Sequence, residues 1–183
     1  MLYSTTFLTL DGVMADPHVW HPAYASDEAL DLLDGQVRAA GALLIGRRTY
    51  EEFAAWWPHQ PDDAPLARTT NAIRKEVVTS TLDHIDWHNA HLAGPDPVAA
   101  ARRATEAHGD VAVPGSATLV RALLAAGLID EVRITLDPYV AGRGLRLFED
   151  GGPEVRLALV EQQSLPHGVQ YLAYRPEGGP RHG

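Results

Sequence analysis

Cysteine is absent from this chain of 183 residues, which excludes disulfide bonds, thiolate nucleophiles and cysteine-ligated metal sites. No apolar run approaches the roughly 18 residues of a membrane-spanning helix, and the first residues lack the basic segment of a secretory signal. Basic residues are few, since 15 Lys and Arg stand against 24 Asp and Glu for a formal net charge of −9. A nucleic-acid partner requires a basic surface, so the charge argues against one. These absences predict a cytoplasmic protein that binds neither nucleic acid nor a membrane.

Hydrophobic residues make up 45% of the chain and charged residues 21%, which is the usual balance of a folded globular protein. A chain of this length can bury a sizeable core within one domain. We expect that domain to span residues 1–175. The last segment, residues 176–183, is predicted to be a flexible C-terminal tail.

Strand and helix patterns alternate along most of the chain. Strands are predicted over residues 2–10, 42–45, 76–79, 110–113, 131–136, 156–164 and 169–174, and residues 85–92 are ambiguous with a strand preferred. Helices are predicted over residues 27–40, 47–57, 97–108 and 116–126, and irregular loops over residues 13–25, 59–65 and 138–149. This order predicts an α/β fold with a mixed sheet, helices on both faces and a C-terminal antiparallel hairpin.

Two short segments each read as a strand that ends in small residues and then begins a helix. The first carries Gly46-Arg47-Arg48-Thr49, and the second carries residues 114–118, Pro-Gly-Ser-Ala-Thr. A helix N-terminus leaves backbone N–H groups unpaired and carries a partial positive charge, so it attracts phosphate oxygens. Each segment alone is also compatible with an ordinary tight turn. Two in one small domain predict a ligand with more than one phosphate, and a dinucleotide is the natural candidate.

Asp11 directly follows the first predicted strand, at the sheet edge where α/β proteins bind ligands. Its carboxylate could hold a ribose hydroxyl or an amine-bearing heterocycle, while Asp-Gly is also a common turn dipeptide. Three histidines, His84, His88 and His91, would share one face of a helix, but the segment favours a strand, in which His91 points the other way. We therefore predict no metal site.

Five segments, in order along the chain, resemble the dihydrofolate reductase-like superfamily: residues 10–15, 44–51, 78–80, 114–119 and 129–134. The chain is most similar to the branch that contains the reductase domain of riboflavin-biosynthesis deaminase-reductases and its stand-alone bacterial relatives. The loop 138–148 also fits that branch. The resemblance implies a three-layer α/β/α fold, a mainly parallel sheet that binds NADPH along its C-terminal edge, and a homodimer.

The resemblance also assigns residues. The positions that match phosphate-contacting residues of the family are Gly46, Arg47, Thr49, Gly115, Ser116, Ala117 and Thr118. Thr79 and Ser80 match the strand end near the adenosine 2′-phosphate. Asp11 matches an aspartate near the substrate and the nicotinamide, where it would orient the substrate or relay a proton as the catalytic residue.

The chain departs from its relatives where the substrate binds. Dihydrofolate reductases carry one acidic residue early in the first long helix, whereas acidic residues crowd that helix here and none aligns with it. Trp20 and Tyr24 are expected to wall the substrate pocket. The resemblance implies an NADPH-dependent reductase of a pterin- or pyrimidine-like heterocycle, or of another small C=N or C=O compound. The alternative is a non-catalytic, dimeric nucleotide-binding protein of the same fold.

Overall fold

The computed structural model describes residues 1–61, 63–150, 152 and 154–177. Its strands are β1 (Leu2–Thr9), β2 (Ala42–Gly46), β3 (Arg74–Val78), β4 (Ala90–Gly94), β5 (Val111–Pro114), β6 (Glu131–Asp137), β7 (Leu157–Ser164) and β8 (Gln170–Pro176). Its α-helices are α1 (Pro17–Trp20), α2 (Asp27–Ala39), α3 (Arg47–Trp56), α4 (Pro65–Ala72), α5 (Pro97–His108) and α6 (Ala117–Ala125). Short 3-10 helices span His21–Ala23, Trp57–His59 and Pro166–Gly168.

All eight strands form one sheet in the order β4-β3-β2-β5-β1-β6-β8-β7. The pairs from β4 to β6 are parallel, and β8 pairs antiparallel with both β6 and β7. This confirms the predicted mixed sheet with its C-terminal antiparallel hairpin. Because β1, β2, β3, β5 and β6 run in one direction, the turns that follow them meet at a single edge of the sheet.

Alternating side chains place a core on each face of the sheet. On one face, Tyr3 and Leu43 pack with Tyr50 of α3 and with the end of α2. On the other face, Leu2 and Val113 pack with the apolar sides of α5 and α6. The layers of helix, sheet and helix agree with the three-layer expectation.

The structure corrects several sequence predictions. Helix α4 was not predicted, because its N-cap residue, Ala64, offers no capping side chain and so gives no start signal. Strand β4 begins only at Ala90, and residues 85–89 precede it without regular structure. The predicted loop 13–25 contains α1 and a 3-10 helix. Residue 176 belongs to β8, and residues 178–183 of the predicted tail lie outside the described residues.

The sheet buries the only lysine of the sequence, Lys75 of β3. Its ammonium group donates hydrogen bonds to the carbonyl oxygens of Asn71 at 2.6 Å and His88 at 3.0 Å. It also lies 4.2 Å from the centroid of the Trp87 ring, within cation–π distance. Burial lowers the pKa of Lys75 from 10.5 to about 8, since the charged form loses its water.

We expect Lys75→Met to remove a pH-dependent part of the stability. Between pH 8 and pH 10.5 the unfolded chain binds more protons at this lysine than the folded chain. The wild-type free energy of unfolding should therefore rise by about 3 kcal/mol across that window, relative to the variant. Urea denaturation of both proteins from pH 7 to pH 10 measures the difference, and parallel curves would contradict it.

Candidate functional site

The two predicted phosphate-binding turns are in direct contact. The backbone N–H of Gly46 donates to the hydroxyl oxygen of Ser116 at 3.0 Å, and that hydroxyl lies 2.6 Å from the hydroxyl of Thr49. We call residues 46–49 and 115–118 the joined turns. The N–H of Gly115 donates to the carbonyl of Thr5 at 3.1 Å, which fixes the joined turns beside β1.

The helices that begin at the joined turns have free N-termini. No side chain in the described part of the chain caps α3 or α6, and neither helix has an acidic residue in its first turn. Ser26 caps α2, which also has acidic residues in its first turn, and Asp96 caps α5, whereas α4 is uncapped like α3 and α6 but begins with a proline. Unpaired N–H groups and uncompensated positive charge therefore coincide at the joined turns, where an anion would bind.

The backbone of the second turn is suited to holding an anion. Gly115 and Ser116 are both in the left-handed region, with φ of +58° and +56°. The Gly115 N–H is bonded to Thr5 O, so the N–H groups that remain for an anion are those at the uncapped start of α6. A non-glycine residue in this conformation is strained, and such strain clusters at ligand-binding sites. Ala117 is buried and Thr118 exposed.

The two arginines of the first turn differ in their partners. Arg47 Nη1 lies 3.0 Å from both carboxylate oxygens of Glu51, one helical turn along α3. Arg48 is exposed and has no hydrogen bond or ion pair among the described residues. The Arg47–Glu51 pair is itself partly exposed, so it contributes little to stability and can open to an anion.

Thr79 and Ser80 lie just beyond the end of β3, two strands from β5. The Thr79 hydroxyl oxygen accepts from the N–H groups of Thr81 at 3.1 Å and Leu82 at 3.2 Å, closing a local turn. Ser80 is exposed. The structure therefore keeps both residues at the edge of the sheet that holds the joined turns, and their contact with a 2′-phosphate stays a prediction.

Asp11 connects the loop after β1 to the loop after β6 through hydrogen bonds. Its carboxylate accepts from the Thr9 hydroxyl at 2.6 Å and from the N–H groups of Ala141 at 3.0 Å and Gly142 at 2.8 Å. These bonds, the Thr9 bond first, lower the pKa of Asp11 to about 2, so the carboxylate is ionised at neutral pH. A carboxyl group in that state is a poor proton donor. Its role towards the substrate stays a prediction.

The loops on either side of Asp11 are bonded along their length. The N–H of Leu10 donates to Tyr139 O at 2.8 Å, and the N–H of Met14 donates to Leu145 O at 2.9 Å. Arg146 Nε donates to the carbonyl of Asp11 at 2.9 Å. We call residues 9–15 and 138–147 the double loop. It forms the edge of the sheet beyond β1 and β6, next to the joined turns.

We expect Asp11→Asn to loosen the double loop. The change removes the charge that strengthens the bonds from Ala141 and Gly142, so exchange of these two amide protons should become at least tenfold faster at pH 7. In the wild type, the folded pKa of about 2 lies below the ordinary 3.8. This stabilisation is therefore present above that value and lost as the pH falls towards 2.

Hydrogen-exchange mass spectrometry measures this effect. The control is Asp16→Asn, the same substitution at an exposed aspartate that tolerates it, because asparagine also adopts the left-handed conformation of Asp16. Unchanged exchange in Asp11→Asn would show that the carboxylate does not hold the double loop.

Trp20 and Tyr24 occupy different places. Trp20 is buried, donates its indole N–H to Ala15 O at 2.9 Å, and stacks on Tyr139 with ring centroids 6.4 Å apart. It therefore supports the double loop. Tyr24 packs instead against a separate apolar cluster that contains Tyr171 of β8. Contact of either aromatic residue with a substrate stays a prediction.

A histidine and an aspartate form a further polar pair at this edge of the sheet, and neither was among the predicted site residues. His21 Nδ1 lies 2.8 Å from Oδ2 of Asp137, the last residue of β6. The signal in the sequence is that Asp137, like Asp11, directly follows a predicted strand at this edge. The partner, His21, is 116 residues away, so no local pattern connects the two.

The three histidines considered for metal binding are not brought together. His84 pairs with Asp86, the His88 carbonyl accepts from Lys75, and His91 belongs to β4. Across the described ranges, no group of three or more His, Asp or Glu side chains could hold a metal ion. Among the same residues, no helix has the length and apolar character needed to cross a membrane.

The sheet order and the joined turns define a class, the dihydrofolate reductase-like proteins. Dihydrofolate reductase from Enterococcus faecalis, solved with NADP(H), superposes with a TM-score of 0.61 at 16% identity, covering 97% of this chain and 96% of that chain. This likeness shows the fold.

Within that class, the chain belongs to the RibD C-terminal domain family, whose sequence model matches residues 1–171. A putative riboflavin biosynthesis protein from Shewanella sp. PV-4 superposes with a TM-score of 0.77 at 16% identity, covering 96% of this chain and 98% of that chain. Among curated proteins, the uncharacterised protein YyaP of Bacillus subtilis is 25% identical over 140 residues, 74% of each chain. The family resemblance drawn from the sequence is therefore confirmed.

Proposed function

We propose that this protein is an NADPH-dependent reductase of a small heterocycle, pterin- or pyrimidine-like, or of another compound with a C=N or C=O bond. The single observation that carries the proposal is the contact between the joined turns. It places two uncapped helix N-termini side by side, as a ligand with two linked phosphates requires. The family match and the NADP(H)-bound neighbour of the same fold support the choice of cofactor.

The roles of the residues follow from their places. The joined turns hold the pyrophosphate through free N–H groups and the hydroxyl groups of Thr49 and Ser116. Arg47 and Arg48 supply local positive charge in a chain with a net charge of −9, and arginine pairs well with phosphate. Thr79 and Ser80 bind the 2′-phosphate from the neighbouring strand end.

The substrate binds further along β1, beside the double loop. Strand β1 lies in the middle of the sheet, yet Thr5 and Phe7, on the same face, stay half-buried. From their partial exposure we infer a cleft over this part of the strand. Trp20 lies beside this cleft, where it packs on the double loop that Asp11 holds in place. When bound, NADPH supplies the hydride, and the residues of the cleft orient the acceptor carbon against it.

We propose that the protein forms a homodimer. Strand β7 is an edge strand and is exposed along nearly its whole length, including Leu159 and Val160. An edge of this length offers unpaired backbone groups and apolar side chains to a second chain. A second copy brings an identical edge and satisfies both.

The direct experiment is a titration of Arg47→Ala with NADPH and NADH. A hydrogen bond to a charged group contributes about 1.5–3 kcal/mol, so NADPH affinity should fall by roughly 10- to 150-fold. NADH has one phosphate fewer for Arg47 to pair with, so its affinity should fall less. The control is Arg38→Ala, because Arg38 forms the same kind of i,i+4 ion pair with Asp34 but lies in the last turn of α2. Unchanged NADPH affinity in Arg47→Ala would remove this arginine from the site.

Cofactor fluorescence separates the two candidate functions. A reductase binds NADPH and oxidises it with 7,8-dihydrofolate or with 5-amino-6-(5-phosphoribosylamino)uracil as probe. A non-catalytic nucleotide-binding protein of this fold binds NADPH and oxidises it neither with these probes nor with a wider set of C=N and C=O compounds. A wild-type protein that does not bind NADPH contradicts both.

A further inference from the structure

A buried aspartate and a histidine meet beside the part of β1 where we propose that the substrate binds. Asp137 has no solvent exposure, and its Oδ2 lies 2.8 Å from Nδ1 of His21. Its other oxygen, Oδ1, is also buried and has no hydrogen-bond partner within the residues that the structure describes. A carboxylate buried with so few partners costs stability. Pairs of this kind are found where chemistry is carried out.

The surroundings of the imidazole leave one nitrogen for a ligand. The Asp137 carboxylate accepts a hydrogen bond from Nδ1–H and so keeps that nitrogen protonated. The ring centroid of His21 lies 4.0 Å from that of Phe7 and 6.3 Å from that of Trp20. Nε2 has no hydrogen-bond partner in the described part of the chain, and the His21 side chain keeps 14% of its exposure. Nε2 is therefore the nitrogen that a ligand can reach.

A continuous row of contacts connects the joined turns to this imidazole. The N–H of Gly115 donates to the carbonyl of Thr5. Phe7 follows on the same face of β1, about 7 Å further along the strand, and its ring packs on His21. A dinucleotide whose phosphates occupy the joined turns can extend along this row, with its reactive end towards His21.

We propose that His21 is the proton donor of the reduction and that Asp137 is its positioning residue; this inference rests on the proposed function. Hydride addition to the carbon of a C=N or C=O bond moves the π-electron pair onto the heteroatom. The Nε2–H bond of the His21 imidazolium then breaks, and a heteroatom–H bond forms. The neutral imidazole then takes up one proton (H⁺) from the buffered solvent at Nε2, while Asp137 keeps Nδ1 protonated. The hydride brings both electrons, so no further reductant is needed.

The first test needs no substrate. Wild-type protein is treated with diethyl pyrocarbonate, with and without saturating NADPH, and peptide mass spectrometry follows the modification of each histidine. His21 should react in the free protein and at least tenfold more slowly with NADPH bound. His84, whose side chain is 76% exposed, should react equally in both samples. If His21 does not react, or if NADPH binds but does not protect it, the inference about His21 is wrong while the proposed function still stands.

The second test compares turnover of the same two probes in His21→Gln and His108→Gln. His108 is a matched control, because its imidazole also lies beside a carboxylate, 3.2 Å from Glu76, at the opposite edge of the sheet. His21→Gln should lower kcat at least 100-fold and leave the NADPH Kd within twofold, since general acid catalysis contributes about 10²- to 10⁴-fold. His108→Gln should match the wild type.

Two further variants separate catalysis from structure. Added imidazole should restore part of the turnover of His21→Ala, which it would not do for a histidine that only packs. Asp137→Asn should lower kcat without changing the NADPH Kd. Wild-type turnover in His21→Gln, or a folded and inactive His21→Ala without rescue, overturns the inference. Absence of NADPH binding by the wild type overturns the proposed function itself.

Discussion

Ser116→Asp should lower the affinity for NADPH by at least 100-fold. Ser116 stands between the two helix N-termini, with its hydroxyl 3.0 Å from Gly46 N and 2.6 Å from the Thr49 hydroxyl. A carboxylate there accepts hydrogen bonds from the N–H groups that the phosphates would use. Its negative charge also repels the phosphates. Loss of one or two charge-assisted hydrogen bonds, at about 1.5–3 kcal/mol each, accounts for that factor. Fluorescence titration with NADPH measures it.

The matched control is Ser26→Asp, the same substitution at the N-cap of α2. Aspartate caps a helix as well as serine does, and the first turn of α2 is already acidic. We expect NADPH affinity to stay within twofold of the wild type. Circular dichroism checks that both variants fold. If Ser116→Asp folds and binds NADPH normally, the phosphates do not bind at the joined turns.

Gly41→Ala should destabilise the folded protein by about 3 kcal/mol or more. A Cβ at Gly41 would lie 2.0 Å from the carbonyl oxygen of His108, at the end of α5. The Gly41 N–H also donates to Asp110 O at 2.7 Å, so the backbone cannot move away without breaking that bond. Overpacking against backbone is among the costly mechanisms of destabilisation. For a chain of this length the melting temperature should fall by roughly 10 °C.

Gly35→Ala is the control and should stabilise the folded protein instead of destabilising it. Gly35 lies inside α2, and a Cβ there meets nothing within 4 Å. Alanine is favoured over glycine in a helix interior by about 0.5–1 kcal/mol. Thermal denaturation of both variants decides the matter. Equal stability of Gly41→Ala and Gly35→Ala would show that the loop before β2 can move away from α5.

The sequence identified Gly41 for an incomplete reason. Gly41 directly follows the helix predicted over residues 27–40, and a glycine in that place is typical of a helix stop with a positive φ. Gly41 is not among the glycines with positive φ. The side chain is excluded by His108, which is 67 residues away and belongs to a different helix. The local sequence pattern favours glycine at this position, but the physical reason that excludes a side chain is the packing of α5 against it.

The joined turns could be predicted one at a time, because a strand that ends in glycine and begins a helix is a local pattern. Their contact could not, since Ser116 lies 70 residues from Gly46. The pair of His21 and Asp137 was missed for the same reason. In contrast, the parallel direction of the central strands, though not their order in the sheet, follows from the alternation of strands and helices along the sequence.

The burial of Lys75 has a practical consequence for chemical labelling. It is the only lysine in the sequence, and in the folded protein its amine is covered by Trp87 and by two backbone carbonyls. Reagents that acylate lysine therefore find no accessible side-chain amine until this part of the sheet opens. The rate at which an amine-reactive dye labels the Lys75 amine therefore measures the rate of that opening at one defined position.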